Sequence, residues 1–139
     1  MKYYATIDTN VLVSAMLKWD SVPGTIIDLA FNDIIIPLVN EEIIKEYHEV
    51  LSRPKFYLTE DIVRDIVDEI LEHAVFVSEE RLEIDFPDSA DRVFYEVTME
   101  KRKDGSAYLI TGNIKHFPSE LFVVTPREML DIILEDSSK

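Results

Sequence analysis

Cysteine is absent from all 139 residues, so disulfides, thiolate nucleophiles and Cys-ligated zinc are excluded. That absence fits a reducing compartment, and a cytoplasmic setting is expected. Glycine is nearly as scarce, at three residues. Neither GxxxxGK[ST] nor GxGxxG occurs, which argues against a glycine-rich phosphate cradle. Apolar residues make up 47% of the chain, yet no apolar run approaches the roughly 20 residues of a membrane span. Met1-Lys2-Tyr3-Tyr4 leads straight into a β-prone segment, so no secretory leader is expected. His48, His73 and His116 lie far apart without zinc-ligand spacing, and Ser14 and Ser106 have no nearby His pattern for a triad. Cations are few: 14 Lys and Arg against 28 Asp and Glu leave a net charge of −14. Such a balance disfavours broad attraction to phosphate backbones. It suits a basic protein partner, or acids gathered around metal ions.

The length fits one domain spanning residues 1–139, with a tail frayed from Asp136. Residues 3–7 read as a strand ending at Asp8, and 11–17 as a short buried helix. Pro23-Gly24 reads as a turn before a helix over 25–32, and Ile34-Ile35-Ile36 as a strand closed by Pro37. Asn40 caps a helix over Glu41–Ser52, which Arg53-Pro54 ends, and Thr59 caps the next. Ile62, Ile66, Val67, Ile70 and Leu71 form the inner face of that second helix. Val75–Val77 is a strand, and Pro87-Asp88 opens a helix reaching about Lys103. Ala107–Thr111 and Leu121–Val124 are the last strands. Thr125-Pro126 starts a final helix with Met129, Leu130, Ile133 and Leu134 inward. Five short apolar strands alternating with helices define an α/β fold: a three-layer α/β/α arrangement around a parallel sheet.

In such sheets, sites lie beyond the carboxyl ends of the strands. The first strand ends in Asp8-Thr9-Asn10 and the fourth in Thr111-Gly112-Asn113, so both polar clusters fall on one sheet edge. Asp8 reads either as a helix cap or as a carboxylate fixed for a hard cation. Glu46 borders the inward stripe of Ile43, Tyr47, Val50 and Leu51, and reads either as a solvated acid or as one pointing along the core edge. Capping explains Asp88. Asp91 is less needed as a cap and flanks the apolar face of Ala90, Val93, Phe94 and Val97, although the helix dipole alone favours a first-turn Asp. Lys101-Arg102-Lys103 reads as a solvated helix end or a phosphate contact.

Together these residues resemble the PIN-domain family, in particular the VapC-like toxin ribonucleases of bacterial and archaeal toxin–antitoxin systems. The resemblance runs through Ile7-Asp8-Thr9-Asn10-Val11-Leu12-Val13-Ser14, then Glu42 to Arg53-Pro54-Lys55-Phe56, then Pro87-Asp88-Ser89-Ala90-Asp91-Arg92-Val93-Phe94. It closes with Tyr108-Leu109-Ile110-Thr111-Gly112-Asn113, Lys115-His116-Phe117-Pro118 and Thr125-Pro126-Arg127-Glu128. Many members carry Asp where this chain has Asn113, while the subgroup resembled here often has Thr-Gly-Asn.

The resemblance implies a Mg²⁺- or Mn²⁺-dependent endoribonuclease acting on RNA phosphodiester bonds. Asp8, Glu46 and Asp91 map to metal ligands, and Asn113 to an auxiliary catalytic position. Thr9, Asn10, Asp88 and Thr111 would orient the carboxylates. Arg92 and Lys115 are candidate phosphate contacts. A small antitoxin and a homodimer are the implied partners, with no membrane. Two other readings remain open. One is an inactive PIN scaffold that binds protein or RNA, motivated by Asn113 and the charge. The other is a different Asp-based α/β protein. A HAD-type phosphatase would want Asp-x-Asp after the first strand, where Asn10 stands, and a receiver domain would want an early acidic pair and a late Lys.

Overall fold

The computed structural model describes residues 1–78, 86 and 88–138. Five strands, β1 (Tyr3–Ile7), β2 (Ile35–Val39), β3 (Val75–Phe76), β4 (Tyr108–Ile110) and β5 (Val123–Val124), form one sheet. Their order is β3-β2-β1-β4-β5 and every pairing is parallel. Successive strand residues face opposite sides of a sheet, so a strand buried at every position is covered on both faces. All five residues of β2 are buried, as are four of the five in β1. The cover comes from α5 (Arg92–Arg102), which lies on β1, β2 and β4, and from α2 (Val22–Phe31), which packs on β2 beside α1 (Thr9–Leu17), α4 (Glu60–His73) and α6 (Pro126–Ser137). The three-layer parallel fold expected from the pattern is present.

Capping chemistry sets the helix starts. α3 spans Glu41–Leu51, and the Asn40 side chain accepts the Ile43 amide at 2.8 Å. Thr59 accepts from Ile62 at the start of α4. Thr125 and Glu128 exchange bonds of 3.1 and 2.9 Å at the start of α6. Helix α5 packs buried residues around most of its circumference, and its Thr98 hydroxyl bonds the Thr6 hydroxyl of β1 at 2.8 Å.

Several expectations need correction. Pro37 does not close β2 but sits inside it, opposite Ala5. The β3 ladder begins only at Leu38, so the missing Pro37 amide proton removes no ladder bond. Pro23 and Gly24 are not a turn before α2 but its first turn, capped by Ser21. Gly24 is required there, because a Cβ would lie 1.8 Å from the Trp19 carbonyl oxygen. On α4 the buried stripe is Val63, Val67 and Ile70, and Ile62, about 100° from Val63 around the axis, is 45% exposed. Leu121 lies before β5 and is fully outside, and Leu134 faces solvent on α6. Pro87 lies outside the described residues. From Asp88 the chain takes a short 3₁₀ turn, Ser89–Asp91, before α5 begins.

Candidate functional site

The chain starts at the centre of the sheet, winds outward through β2 and β3, and returns to β4 on the other side of β1. The boundary between β1 and β4 is therefore the topological switch point, where flanking connections diverge and leave a crevice beyond the strand ends. A crevice of about 620 Å³ opens there. It gathers Asp8, Thr9 and Asn10 from the end of β1, Glu46 from α3, Asp88 and Asp91 from the 3₁₀ turn before α5, and Asn113 from beyond β4. These residues are scattered over more than a hundred positions of sequence.

Asp8 occupies the N-cap position of α1, but its side chain makes no capping bond. It is buried, and one carboxylate oxygen accepts the Thr111 hydroxyl at 2.7 Å. The Asn113 amide donates to that same hydroxyl at 2.9 Å, so its proton is committed to Asp8. Asn10 ties the two strand ends together by accepting the Gly112 amide at 3.1 Å. Burial raises the Asp8 carboxyl to about 6; the Thr111 hydrogen bond opposes this, and the negative charge of Asp91 adds to it. The Thr9 hydroxyl beside it is buried without a hydrogen-bond partner among the described residues.

Glu46 is half-buried, and partial burial raises its pKa; Glu49 adds to the rise and Arg53 opposes it. The adjacent Tyr47 is fully buried and donates its hydroxyl to the Ile7 carbonyl, which fixes α3 against the end of β1. The structure separates the roles of Asp88 and Asp91. The Asp88 side chain caps the 3₁₀ turn by accepting the Ala90 amide at 3.0 Å. Asp91 caps nothing. Its carboxylate meets His116 Nδ1 at 3.3 Å and is raised by burial, then by Asp88, with His116 opposing.

Two candidates lie elsewhere. Lys115 points away from the crevice, into a shallow depression with Phe117 and Pro118. Arg92 sits 6.0 Å over the Phe86 ring. The Lys101-Arg102-Lys103 run ends α5 on the opposite sheet edge. There Lys101 lies 4.4 Å over the Tyr4 ring, Arg102 bonds the Ala107 carbonyl at 2.8 Å, and Lys103 pairs with Glu100. Among the residues that line the crevice, Glu49, Arg53, Phe56 and His116 had not been read from sequence as part of it. His116 signalled itself by its closeness to Asn113 in the chain and by its place in the Lys115–Pro118 stretch of the resemblance.

The tightest group of potential ligand atoms among the described residues is not in the crevice. Glu69, Glu72 and His73 hold such atoms within 4.8 Å of one another at the end of α4. His73 there already contacts Asp33 at 2.7 Å and Glu69 at 2.9 Å, an ion-pair clasp at the amino edge of the sheet. The crevice carboxylates are spaced more openly, which leaves room for water or substrate oxygens between them.

An acidic crevice at the switch point of a short parallel sheet defines an α/β/α protein that gathers oxygen ligands and has no glycine-rich cradle for a nucleotide. The model of the PIN domain family matches residues 4–115, and the chain belongs to that family. PIN domains are generally nucleases that use divalent metal ions. The chain is 27% identical to the uncharacterized protein MJ1680 of Methanocaldococcus jannaschii, covering 94% of this chain and 92% of that protein. No helix among the described residues is long and apolar enough to cross a membrane.

Proposed function

We propose that this protein is a divalent-metal-dependent endoribonuclease of the toxin type, cutting RNA phosphodiester bonds in the crevice. The observation that carries this reading is Asp8. It is a buried carboxylate at a helix start, is held by Thr111, and shares one crevice with Glu46 and Asp91. The donor set is all oxygen and carries three acids, which fits Mg²⁺ or Mn²⁺. The partnerless Thr9 hydroxyl is a further oxygen at the same place. Asp8, Glu46 and Asp91 would hold the ion. The chemistry such a cation supplies is activation of water near neutral pH and stabilisation of the leaving oxygen. Thr111 and Asn113 keep the Asp8 carboxylate in one orientation. His116 does the same for Asp91. The Asn113 side-chain amide lies 3.3 Å from the ring of that same His116. The same reading places the protein in the cytoplasm as a homodimer with a small antitoxin, whose basic segment the charge of −14 would suit.

A second reading, a PIN scaffold that binds without cutting, is favoured by one observation: Asn113 stands where another acid would strengthen the hold on a cation. Incubation of labelled structured RNA with Mn²⁺ or Mg²⁺ separates the two. Cleavage that stops with EDTA and in Asp8→Asn is the expected result. Absence of cleavage together with absence of Mn²⁺ binding by calorimetry would leave only the scaffold.

A further inference from the structure

Asp8, Glu46 and Asp91 offer a cation oxygen only, and oxygen donors by themselves do little to tell Mg²⁺ from Mn²⁺. His116, on the same crevice wall, offers nitrogen. It is the last residue of the 3₁₀ turn Ile114–His116, and Asn113 is the residue before that turn. Side chains at positions i and i+3 of a 3₁₀ turn eclipse one another, which sets the His116 ring beside the Asn113 amide. The amide nitrogen lies 3.3 Å from Nε2 and 3.4 Å from Nδ1. On its other side the ring meets Asp91, with Nδ1 3.3 Å from a carboxylate oxygen.

These separations are wide for hydrogen bonds. An N–H and an oxygen packed for each other close to about 2.7–3.2 Å. His73 does so in this molecule, meeting Asp33 at 2.7 Å and Glu69 at 2.9 Å. Two donors that share one ion stand further apart. With bonds of about 2.1 Å, octahedral to tetrahedral angles place neighbouring ligand atoms about 3.0–3.4 Å from each other. The His116–Asp91 separation of 3.3 Å falls in that range. An ion can reach the ring, because 41% of the His116 side chain is exposed. Neither ring nitrogen has a closer partner among the described residues.

We propose that His116 is a nitrogen ligand of the ion held in the crevice, and that it makes the site select transition-metal cations such as Mn²⁺ over Mg²⁺. This rests on the metal-dependent reading above. Mg²⁺ dehydrates reluctantly and keeps oxygen around it, so an imidazole adds little to its hold. For first-row transition metals a nitrogen donor is worth more, and affinity rises from Mn²⁺ to Co²⁺. The ring that steadies Asp91 thereby also reads the identity of the cation. Asp91 is the acid nearest to it, so the two would share the ion from adjacent positions.

Calorimetric titration of the full-length protein with Mg²⁺, Mn²⁺ and Co²⁺ reads the preference. The wild type should bind Mn²⁺ at least about tenfold tighter than Mg²⁺, and Co²⁺ tighter than Mn²⁺. His116→Ala should bring Mn²⁺ and Mg²⁺ within about threefold of each other, by weakening Mn²⁺ and leaving Mg²⁺ nearly unchanged. His116→Gln keeps an amide donor for Asp91 but has no ring nitrogen, and should show the same lost preference. A residue that only steadied Asp91 would weaken both ions alike as Ala and be rescued by Gln. Electron spin-echo spectra of bound Mn²⁺ should carry the nitrogen modulation of a coordinated imidazole in the wild type and in neither variant. Circular dichroism identifies a variant that fails to fold, in which case the wild-type ratio and spectrum decide. Equal wild-type affinity for Mn²⁺ and Mg²⁺, a preference that survives in both variants, a wild-type spectrum without nitrogen modulation, or modulation that persists in His116→Ala would each overturn the proposal. Mn²⁺ binding that Asp8→Asn abolishes but that shows no nitrogen removes this inference alone. Absence of binding by all three ions removes the metal-dependent reading beneath it.

Discussion

At the scale of the residue, Asp8 is a carboxylate kept where folding alone would not choose it. In the metal-free protein burial raises it to about 6, against an ordinary carboxylate value near 4. The folded state therefore binds the Asp8 proton more tightly than the unfolded chain does. Its contribution to stability is fully present below the unfolded pKa, falls as pH rises from about 4 through about 6, and stays low above that. The loss amounts to about 1–3 kcal/mol. Asp8→Asn removes this dependence while keeping an acceptor for Thr111. In EDTA the variant should be more stable than the wild type at pH 8 by about that amount, with the gap closing toward pH 4. Urea melts at the two pH values measure it. Parallel pH profiles for the two proteins would show that Asp8 is not destabilised by its surroundings. Three acids and one amide of the crevice were legible in the sequence because strand ends and helix periodicity project Asp8, Glu46, Asp91 and Asn113 toward one edge. Phe56 and His116 lie in 3₁₀ turns and Arg53 in the extended residue before the first of them, places with no repeating apolar pattern to show which way a side chain faces. From sequence Asp88 already went to capping and Asp91 was favoured for the crevice, and the geometry supplies the reason: Asp88 bonds a backbone amide and Asp91 does not.

At the scale of the element, α3 carries Glu46 to the end of β1, and one hydroxyl fixes the approach. Tyr47 packs its ring 6.2 Å from Phe94 and donates to the Ile7 carbonyl, one residue before Asp8. Tyr47→Phe keeps the packing and deletes the bond. The expected cost is about 1–2 kcal/mol, seen as a lower urea midpoint with an unchanged m-value. The activity effect should be larger than stability alone explains, because a sub-ångström shift of α3 moves Glu46 relative to Asp8. Single-turnover cleavage at a temperature where both proteins are folded should fall roughly tenfold or more. A wild-type rate in a measurably destabilised Tyr47→Phe would show that the bond serves folding only. From sequence, Tyr47 read as one more member of an apolar stripe, because periodicity reports the face of a helix and not the partner of a hydroxyl. Caps were easier to find. Asn40, Thr59 and Thr125 each preceded a periodic run and each bonds the amide three residues on. Pro37 misled for the opposite reason: proline usually ends a buried strand, but here a neighbour that starts pairing one residue later makes its missing donor harmless.

At the scale of the whole molecule, 28 acids against 14 cations make self-repulsion a standing cost of the compact state. Two remedies differ in their signature. Monovalent salt screens all exposed acids alike, with a Debye length near 10 Å at about 0.1 M. A divalent ion held at the crevice acts at one place and stabilises by mass action, about 2.7 kcal/mol at a hundredfold excess over its dissociation constant. Thermal melts at pH 7.5 should therefore rise with NaCl and rise further with MgCl₂ at matched ionic strength. The excess belongs to the crevice, so Asp8→Asn should keep the NaCl response and lose most of the MgCl₂ excess. An excess of equal size in the variant would mean that Mg²⁺ acts through the diffuse acidic surface, and no excess in the wild type would mean that the crevice holds no ion in the absence of RNA. The comparison also bears on how so acidic a chain receives RNA. If the excess vanishes with Asp8, the repulsion that phosphate would meet is relieved at the place where the bond is to be cut, and the rest of the surface stays negative and discourages other docking modes.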